Sequence, residues 1–445
     1  MKYIKNLIFS LFCILVFCMS SLIINLVYKY SIYTNHCNMV DTMPYYDDLI
    51  FLKNVLPKKH PDLFFKISQE SYYGKINNLF DNQNKYTVDK MRLEIMKLIA
   101  SIGDGHTETY VKTNRYFPIS FYWFDNNSLR ITGCIKKYKR LLGYRVIKIN
   151  NVPLSSIVNT LNSICPNESS AWQKHKLLIN LENYELLKVL NIIPSGYLDL
   201  ELEDLSGKKL NAKIFPFTQE KFQESTFIDL QRTKQTIPQR PVNSNENYWY
   251  TTDTASKIFY FKYHSCLDRN TALIIGEDTS SYDANLNSFF DKLVKDFDNS
   301  SAEKFIIDVR GNLGGNPKLI KFLIKKLSID SKFNNFQKSK NRIFVFTDNS
   351  TFSAGAFAAL NFKQSFSNVK IIGEPTGGVQ KVFANPRTKL LSCSNLFLTY
   401  STKVYSDGSS ERTSINPDIN PQTSLRDEFF RVDSDYETVK MLKIR

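Results

Sequence analysis

Apolar residues recur at three- and four-residue spacings through "YYDDLIFLKNVLPKKHPDLFF" and "VDKMRLEIMKLIASI", which predicts a small helical region over residues 41–115. Between 116 and 215 the pattern shortens to aromatic or β-branched runs separated by turn residues: "FPISFYWF", "LRITGC", "YRVIKIN", "YLDLELEDL" and "NAKIF". With one helical stretch at "LSSIVNTLNSI", this predicts a mostly β module. Residues 216–250 are polar with weak periodicity and read as a linker or irregular excursion. Beyond them strands and helices alternate: "KIFYFKY", a helix near 282–297, "KFIIDV", a helix near 317–328, "IFVFT", a helix near 353–362, and "VKIIG". Such alternation predicts an α/β layer on a mainly parallel sheet.

The N-terminus follows a different rule. Lys2 and Lys5 precede an uncharged apolar run over residues 7–27, about the 20 residues that span a bilayer as a helix and longer than the roughly 7–15 of a cleaved signal. We therefore expect an uncleaved signal anchor and stalk over 1–40, with the remaining chain outside the cytoplasm. Lipid attachment at Cys18 is disfavoured because Phe17 stands where a small residue is needed.

Composition narrows the partners. The 445 residues are 42% hydrophobic, enough for a large core divided among two or three domains. The formal charge is +15, yet the basic residues are scattered in pairs such as Lys58/Lys59, Lys136/Lys137 and Lys325/Lys326. Without a basic arm, a zinc-finger spacing or an RNA-binding signature, nucleic acid is not expected as a partner. A basic surface facing anionic lipid or cell-wall polymer accounts for the charge equally well. Seven cysteines show no CxxC spacing, so neither a zinc site nor a redox motif is indicated. Cys37, Cys134, Cys165, Cys266 and Cys393 read as structural, with a disulfide open to them if the anchor places them outside the cytoplasm.

Three stretches could carry chemistry. "FIIDVRGNLGGN" (305–316) is a buried-looking strand running into a glycine loop, which is either a tight turn or a place where backbone N–H groups face a bound group. Neither GxxxxGK[ST] nor GxGxxG fits these residues, so a phosphate loop is not indicated. "STFSAGAFAAL" (350–360) puts Ser353 at the first turn of a predicted helix, where the helix dipole favours developing negative charge. A hydroxyl there is ordinarily a cap, but Ser350 and Thr351 are the better cap candidates. Of five histidines, His106 in "GDGHTETY" (103–110) sits among small residues at the start of a strand, clear of any predicted core. His106 and Glu108 form an HxE pair with no third ligand, so no metal is expected.

Taken in order, "IIDVRGNLGG", "TFSAGAFA" and "GEPTGG" (373–378), with the closing "YSTKVYSDGSSERTSINPDI" (400–419), resemble the S41 peptidases, the family of the C-terminal processing proteases and the tricorn core protease. The resemblance covers roughly 255–425 and reaches upstream through "GDGHT". It implies an α/β fold with a crotonase/ClpP-like catalytic core over 251–430, an N-terminal helical region and a small, mostly β, PDZ-like module in "LLGYRVIKINNVPLSSI". It also implies a serine peptidase acting on peptide or protein substrates without a cofactor. One departure matters: Val379 stands where the processing proteases carry a catalytic lysine, and Lys381 falls two residues later. The tricorn-like branch takes its base from an upstream histidine, matching His106.

The resemblance thus implies Ser353 as nucleophile and His106 as base, with Glu411 as the acid that orients the imidazole. In that branch the acid acts through a serine just before the histidine; here the position is Gly105, and Asp104 is a local competitor. The oxyanion would be met by the Ala354 N–H and by Gly314 or Gly315, each donor contributing on the order of 3 kcal/mol. Two other readings share these residues: a non-catalytic ligand- or peptide-binding relative, and an esterase using the same serine and histidine. Substrate preference and oligomeric state leave no mark in the sequence.

Overall fold

The structure, a computed structural model, describes residues 43–445 apart from 125–127, 231–235, 243, 276–278, 280–281, 283–285 and 407–410. The expected anchor at 7–27 lies outside the described residues. Among those described, no helix is long and apolar enough to cross a membrane.

The helical region contains two long helices, Gln69–Asn82 and Val88–Ala100. Each starts where a hydroxyl accepts an otherwise orphaned amide: Ser68 from Ser71 N–H at 3.1 Å, Thr87 from Lys90 N–H at 3.2 Å. Tyr72, Ile76 and Leu79 on one helix and Met91, Ile95, Leu98 and Ile99 on the other form the buried faces. These faces share one core with the β module, so the two regions pack as a unit.

That module is a seven-stranded sheet containing Ile119–Phe124, Ser128–Ile135, Arg145–Ile149, Leu198–Glu203 and Lys209–Ile214. Leu198, Leu200 and Leu202 alternate inward along their strand, as a sheet with one covered face requires. The stretch expected to be a linker is partly ordered into this layer. Phe227–Asp229 pairs antiparallel with Gly133–Ile135, a pairing too short to leave a period in the sequence.

The α/β layer is a five-stranded sheet: Tyr248–Asp253 on an antiparallel edge, then Ile258–Tyr263, Lys304–Asp308, Ile343–Thr347 and Val369–Gly373, all parallel. Lys304–Asp308 and Ile343–Thr347 are buried at every position because both faces are covered. One face packs Phe259, Phe305, Ile307 and Val345 against Leu286–Asp298, Leu319–Ile329 and Ala354–Ser365. The other packs Tyr260, Ile306, Phe344 and Phe346 against Tyr436 and Val439 of the helix Ser434–Met441.

A third sheet ties the chain's two halves together. Glu108–Tyr110 pairs antiparallel with Leu396–Tyr400, which in turn pairs with Arg387–Leu391. Cys134, Cys165 and Cys266 are buried free thiols, as expected of structural cysteines, whereas Cys393 is disulfide-bonded.

Candidate active site

Ser353 occupies a strained turn. After strand Ile343–Thr347 the chain turns through Asp348, whose Oδ1 accepts from the Ser350 and Thr351 hydroxyls at 2.7 and 2.9 Å. Those two hydroxyls are therefore spent on the turn. The helix begins at Ala354, and Ser353, at its N-cap, makes no capping hydrogen bond. Its backbone sits at φ 51°, ψ −126°, a conformation an L-residue holds only where its surroundings enforce it. Enforcement comes from close backbone approaches: a Cβ on Gly378 would lie 2.8 Å from Ser353 N, and one on Gly355 2.3 Å from Asn312 O. The hydroxyl is thereby left to point outward.

The imidazole meets it there, with His106 Nε2 3.0 Å from Ser353 Oγ. His106 is delivered by the strand Glu108–Tyr110 and fixed from behind by Asp104, whose Oδ1 accepts the His106 N–H at 3.1 Å. Asp104 is fully buried; its Oδ2 also accepts from His60 Nε2 at 3.0 Å, Ser401 Oγ at 2.6 Å and Thr107 Oγ1 at 2.5 Å. The Asp62 N–H donates to His60 Nδ1 at 3.2 Å, so His60 is the Nε2–H tautomer and donates to Asp104. Phe352 lies against the imidazole at 4.6 Å between ring centroids, and Trp172 stacks on Phe352 at 3.8 Å. Burial holds the His106 imidazole below its ordinary value, with Asp104 and then Glu108 acting in the opposite direction. A base that is neutral at pH 7 results.

The glycine loop borders the same point. Gly314 and Gly315 adopt φ 114° and 130°, accessible to glycine at little cost. A Cβ on Gly314 would fall 2.8 Å from Ser353 Cβ and 2.9 Å from Ala354 N, so this glycine abuts the nucleophile. Its own amide, however, donates to Asn312 Oδ1 at 2.9 Å. Of the three amides expected to meet an oxyanion, Gly314 is therefore engaged elsewhere, captured by the side-chain carbonyl two residues back. Asn312, which the sequence reading passed over, also donates from Nδ2 to Tyr263 O at 2.8 Å and accepts Phe352 N–H at 2.9 Å on its carbonyl. It braces the loop against the nucleophile turn.

Glu411 is exposed, and Thr413 Oγ1 donates to it at 3.3 Å. His106 Nδ1 is buried and makes no direct hydrogen bond, so Glu411 does not contact the imidazole directly. The neighbouring Arg412 turns inward instead. Val379 is buried and bridges to Ser414, while Lys381 lies in the strand Lys381–Ala384 opposite Ser406. Glu108 pairs with Lys176 at 2.8 Å. Among the described residues no group of His, Cys, Asp or Glu side chains is arranged to hold a metal ion.

Sequence and fold comparisons place this geometry in context. Residues 278–421 match the profile of Peptidase family S41, a span that contains Ser353 and Glu411 but not His106. No curated protein matches the chain in sequence. Among solved structures, mature CPAF aligns with a TM-score of 0.60 at 13% identity, covering 89% of this chain and 96% of that one. Mature CPAF complexed with lactacystin aligns at 0.59 and 13% identity, covering 88% and 96%. A putative peptidase from Parabacteroides merdae aligns at 0.45 and 12% identity, covering 90% and 98%. The CPAF likeness extends over the helical region, the β module and the α/β layer alike, and it establishes the fold.

Proposed function

The chain is a serine peptidase of family S41, and on that premise we propose that it cleaves peptide bonds outside the cytoplasm by a Ser353/His106 mechanism. Ser353 Oγ attacks the peptide carbonyl while His106 Nε2 takes its proton and later delivers it to the leaving amine; water then resolves the acyl-enzyme. The observation that carries this reading is the 3.0 Å contact between the two side chains, within reach for direct proton transfer. The N-terminus of Ala354–Ser365 stabilises the developing negative charge, with the Ala354 and Gly315 amides as oxyanion donors. Val379 in the place of the expected lysine supports histidine as the base. An oxidising, extracytoplasmic location is supported by the disulfide at Cys393 and by the apolar run at 7–27.

Labelling with a fluorophosphonate probe tests the mechanism. Mass spectrometry is expected to find the probe on Ser353, and capture is expected to vanish in His106→Ala. A folded wild-type protein that resists the probe would sink the hydrolase reading. Digestion of a peptide library alongside simple esters then separates peptidase from esterase.

A further inference from the structure

We infer that Trp172, from the β module, is a positioning residue for the His106 imidazole and acts through the Phe352 ring. The inference rests on the Ser353/His106 reading above. The torsion that turns an imidazole about its Cβ–Cγ bond is broad and roughly two-fold, so it does not by itself aim Nε2 at one point. Asp104 fixes the His106 backbone amide rather than the ring, and Nδ1 makes no direct hydrogen bond. Besides the Ser353 hydroxyl, the contact made on the ring itself is an aromatic face.

That face belongs to Phe352, 4.6 Å from the imidazole between centroids and tilted by 32°. Phe352 is fixed by its own backbone, whose N–H donates to Asn312 O at 2.9 Å, and by Trp172, stacked on it at 3.8 Å and 13°. Both side chains are buried. A Cβ on residue 105 would stand 2.9 Å from Phe352 Cζ and 2.2 Å from Glu168 Oε2, so the glycine before His106 lets the ring close over the histidine turn. Trp172 is held at the site by its helix, Ser170–Glu182. Ser169, the N-cap, donates from Oγ to Gly377 O at 2.7 Å, and a Cβ on Gly377 would lie 2.9 Å from Trp172 Cε3. One turn on, Lys176 pairs at 2.8 Å with Glu108, on the strand that follows His106. The β module thereby supplies the wall behind the base.

The stack does two things to the base. It keeps water from one face of the imidazole, which disfavours the charged form, and it holds the ring plane with Nε2 directed at Ser353 Oγ. The charged groups around the ring are Asp104, Glu108 and Arg412, with the Glu168 carboxylate against Gly105. His175, 5.2 Å from the Trp172 ring, is lowered to about 4 by burial and adds no charge at neutral pH. None of these groups belongs to Trp172 or Phe352, so replacing Trp172 changes the desolvation of the base and leaves the charges in place.

The test reads the protonation of the base and its reactivity separately. In the full chain with isotope-labelled histidine, NMR follows the His106 ring through a pH titration, its signal assigned by absence in His106→Gln. Wild type is expected to titrate below the ordinary 6.5. Trp172→Ala should bring the midpoint up toward 6.5 and slow fluorophosphonate capture at Ser353 by up to about a hundredfold, the cost of a misplacement near 1 Å. Trp172→Phe keeps a stacked ring without the indole N–H and should restore most of both. Trp172→Leu, smaller than indole and not planar, replaces Trp172→Ala should the latter fail to fold. Leu177→Ala, in the same helix but within the core of the module, should lower the melting temperature and leave the midpoint alone. A folded Trp172→Ala or Trp172→Leu protein with the wild-type midpoint would overturn the inference whatever its rate, as would an equal shift in Leu177→Ala. The titration needs no turnover, so failure of wild-type Ser353 to label would sink the peptidase reading while the midpoint still decides the role of Trp172.

Discussion

His106 and Ser353 lie 247 residues apart in the chain and share a 3.0 Å hydrogen bond. The contact depends on a strand of three residues. Glu108–Tyr110 pairs with Leu396–Tyr400 in the register Thr109 to Leu398, and Ser401, next in line, donates to Asp104. Base and nucleophile therefore come from distant parts of the chain that this pairing helps to bring together. A one-residue slip would turn the strand's side chains to the opposite face and withdraw the imidazole.

The pH dependence of Ser353 labelling follows from the burial of His106. Only the neutral imidazole acts as a base, and burial lowers its pKa from the ordinary 6.5. The labelling rate is accordingly expected to hold its plateau as pH falls past 6.5 and to decline only in more acidic buffer. Stability should move in the same direction. His106 is depressed in the folded state, as is His175, which burial lowers to about 4. The unfolded chain then binds more protons, so their contribution is fully present above pH 6.5 and is lost as pH falls toward 4. A labelling profile half-maximal at or above 6.5 would contradict the described environment of the base.

Gly314→Val should abolish labelling while sparing the fold. The new Cβ would press on Ser353 Cβ at 2.8 Å and stand 2.9 Å from the Ala354 amide, so the branched side chain would occupy the space an oxyanion needs. Loss of one such donor costs on the order of 3 kcal/mol in the barrier, roughly a hundredfold or more in rate. The strain at φ 114° is confined to one half-buried loop residue, so the expected cost to the fold is about 1–3 kcal/mol. Labelling kinetics and a thermal melt on the same sample check both halves. Near-normal capture by the variant would remove Gly314 from the site.

The legible parts of this molecule were those where one local force dominates. Lys304–Asp308 and Ile343–Thr347 are covered on both faces, so their middles, "FII" and "IFVF", read as continuous apolar runs. The glycine loop and the Ser353 turn were legible because positive φ and close approach demand small residues. Asn312 was not. Asn312 acts through its side-chain amide on neighbours that only the fold brings close. Phe227–Asp229 was hidden for another reason, since three residues within a polar stretch carry no measurable period.

Arg310 opens the glycine loop yet turns away from the nucleophile, and its removal should destabilise the protein in a pH-dependent manner. Its guanidinium reaches Asp308 at 2.6 Å, Asp433 at 2.9 Å and Asp435 at 2.8 Å, and lies over the Phe346 ring at 4.8 Å. These bonds clamp the helix Ser434–Met441 to the end of the central strand. In Arg310→Met the three carboxylates stay buried and only Asp308 retains a cation, Lys262 at 3.1 Å. Breaking a buried pair from one side costs about 3–5 kcal/mol, the loss expected at neutral pH. Asp435 is pushed up to about 8 by burial even with Arg310 present and should rise further without the cation; Asp308, held below its ordinary value against burial by Arg310 and Lys262, should lose the larger part of that hold. The variant then binds protons more readily when folded than when unfolded, so its deficit relative to wild type shrinks as pH falls and the carboxylates neutralise. Denaturant unfolding of both proteins at pH 5 and pH 8 measures this. An equal deficit at the two values, or one below about 1 kcal/mol at pH 8, would mean the arginine is solvated and the clamp contributes little.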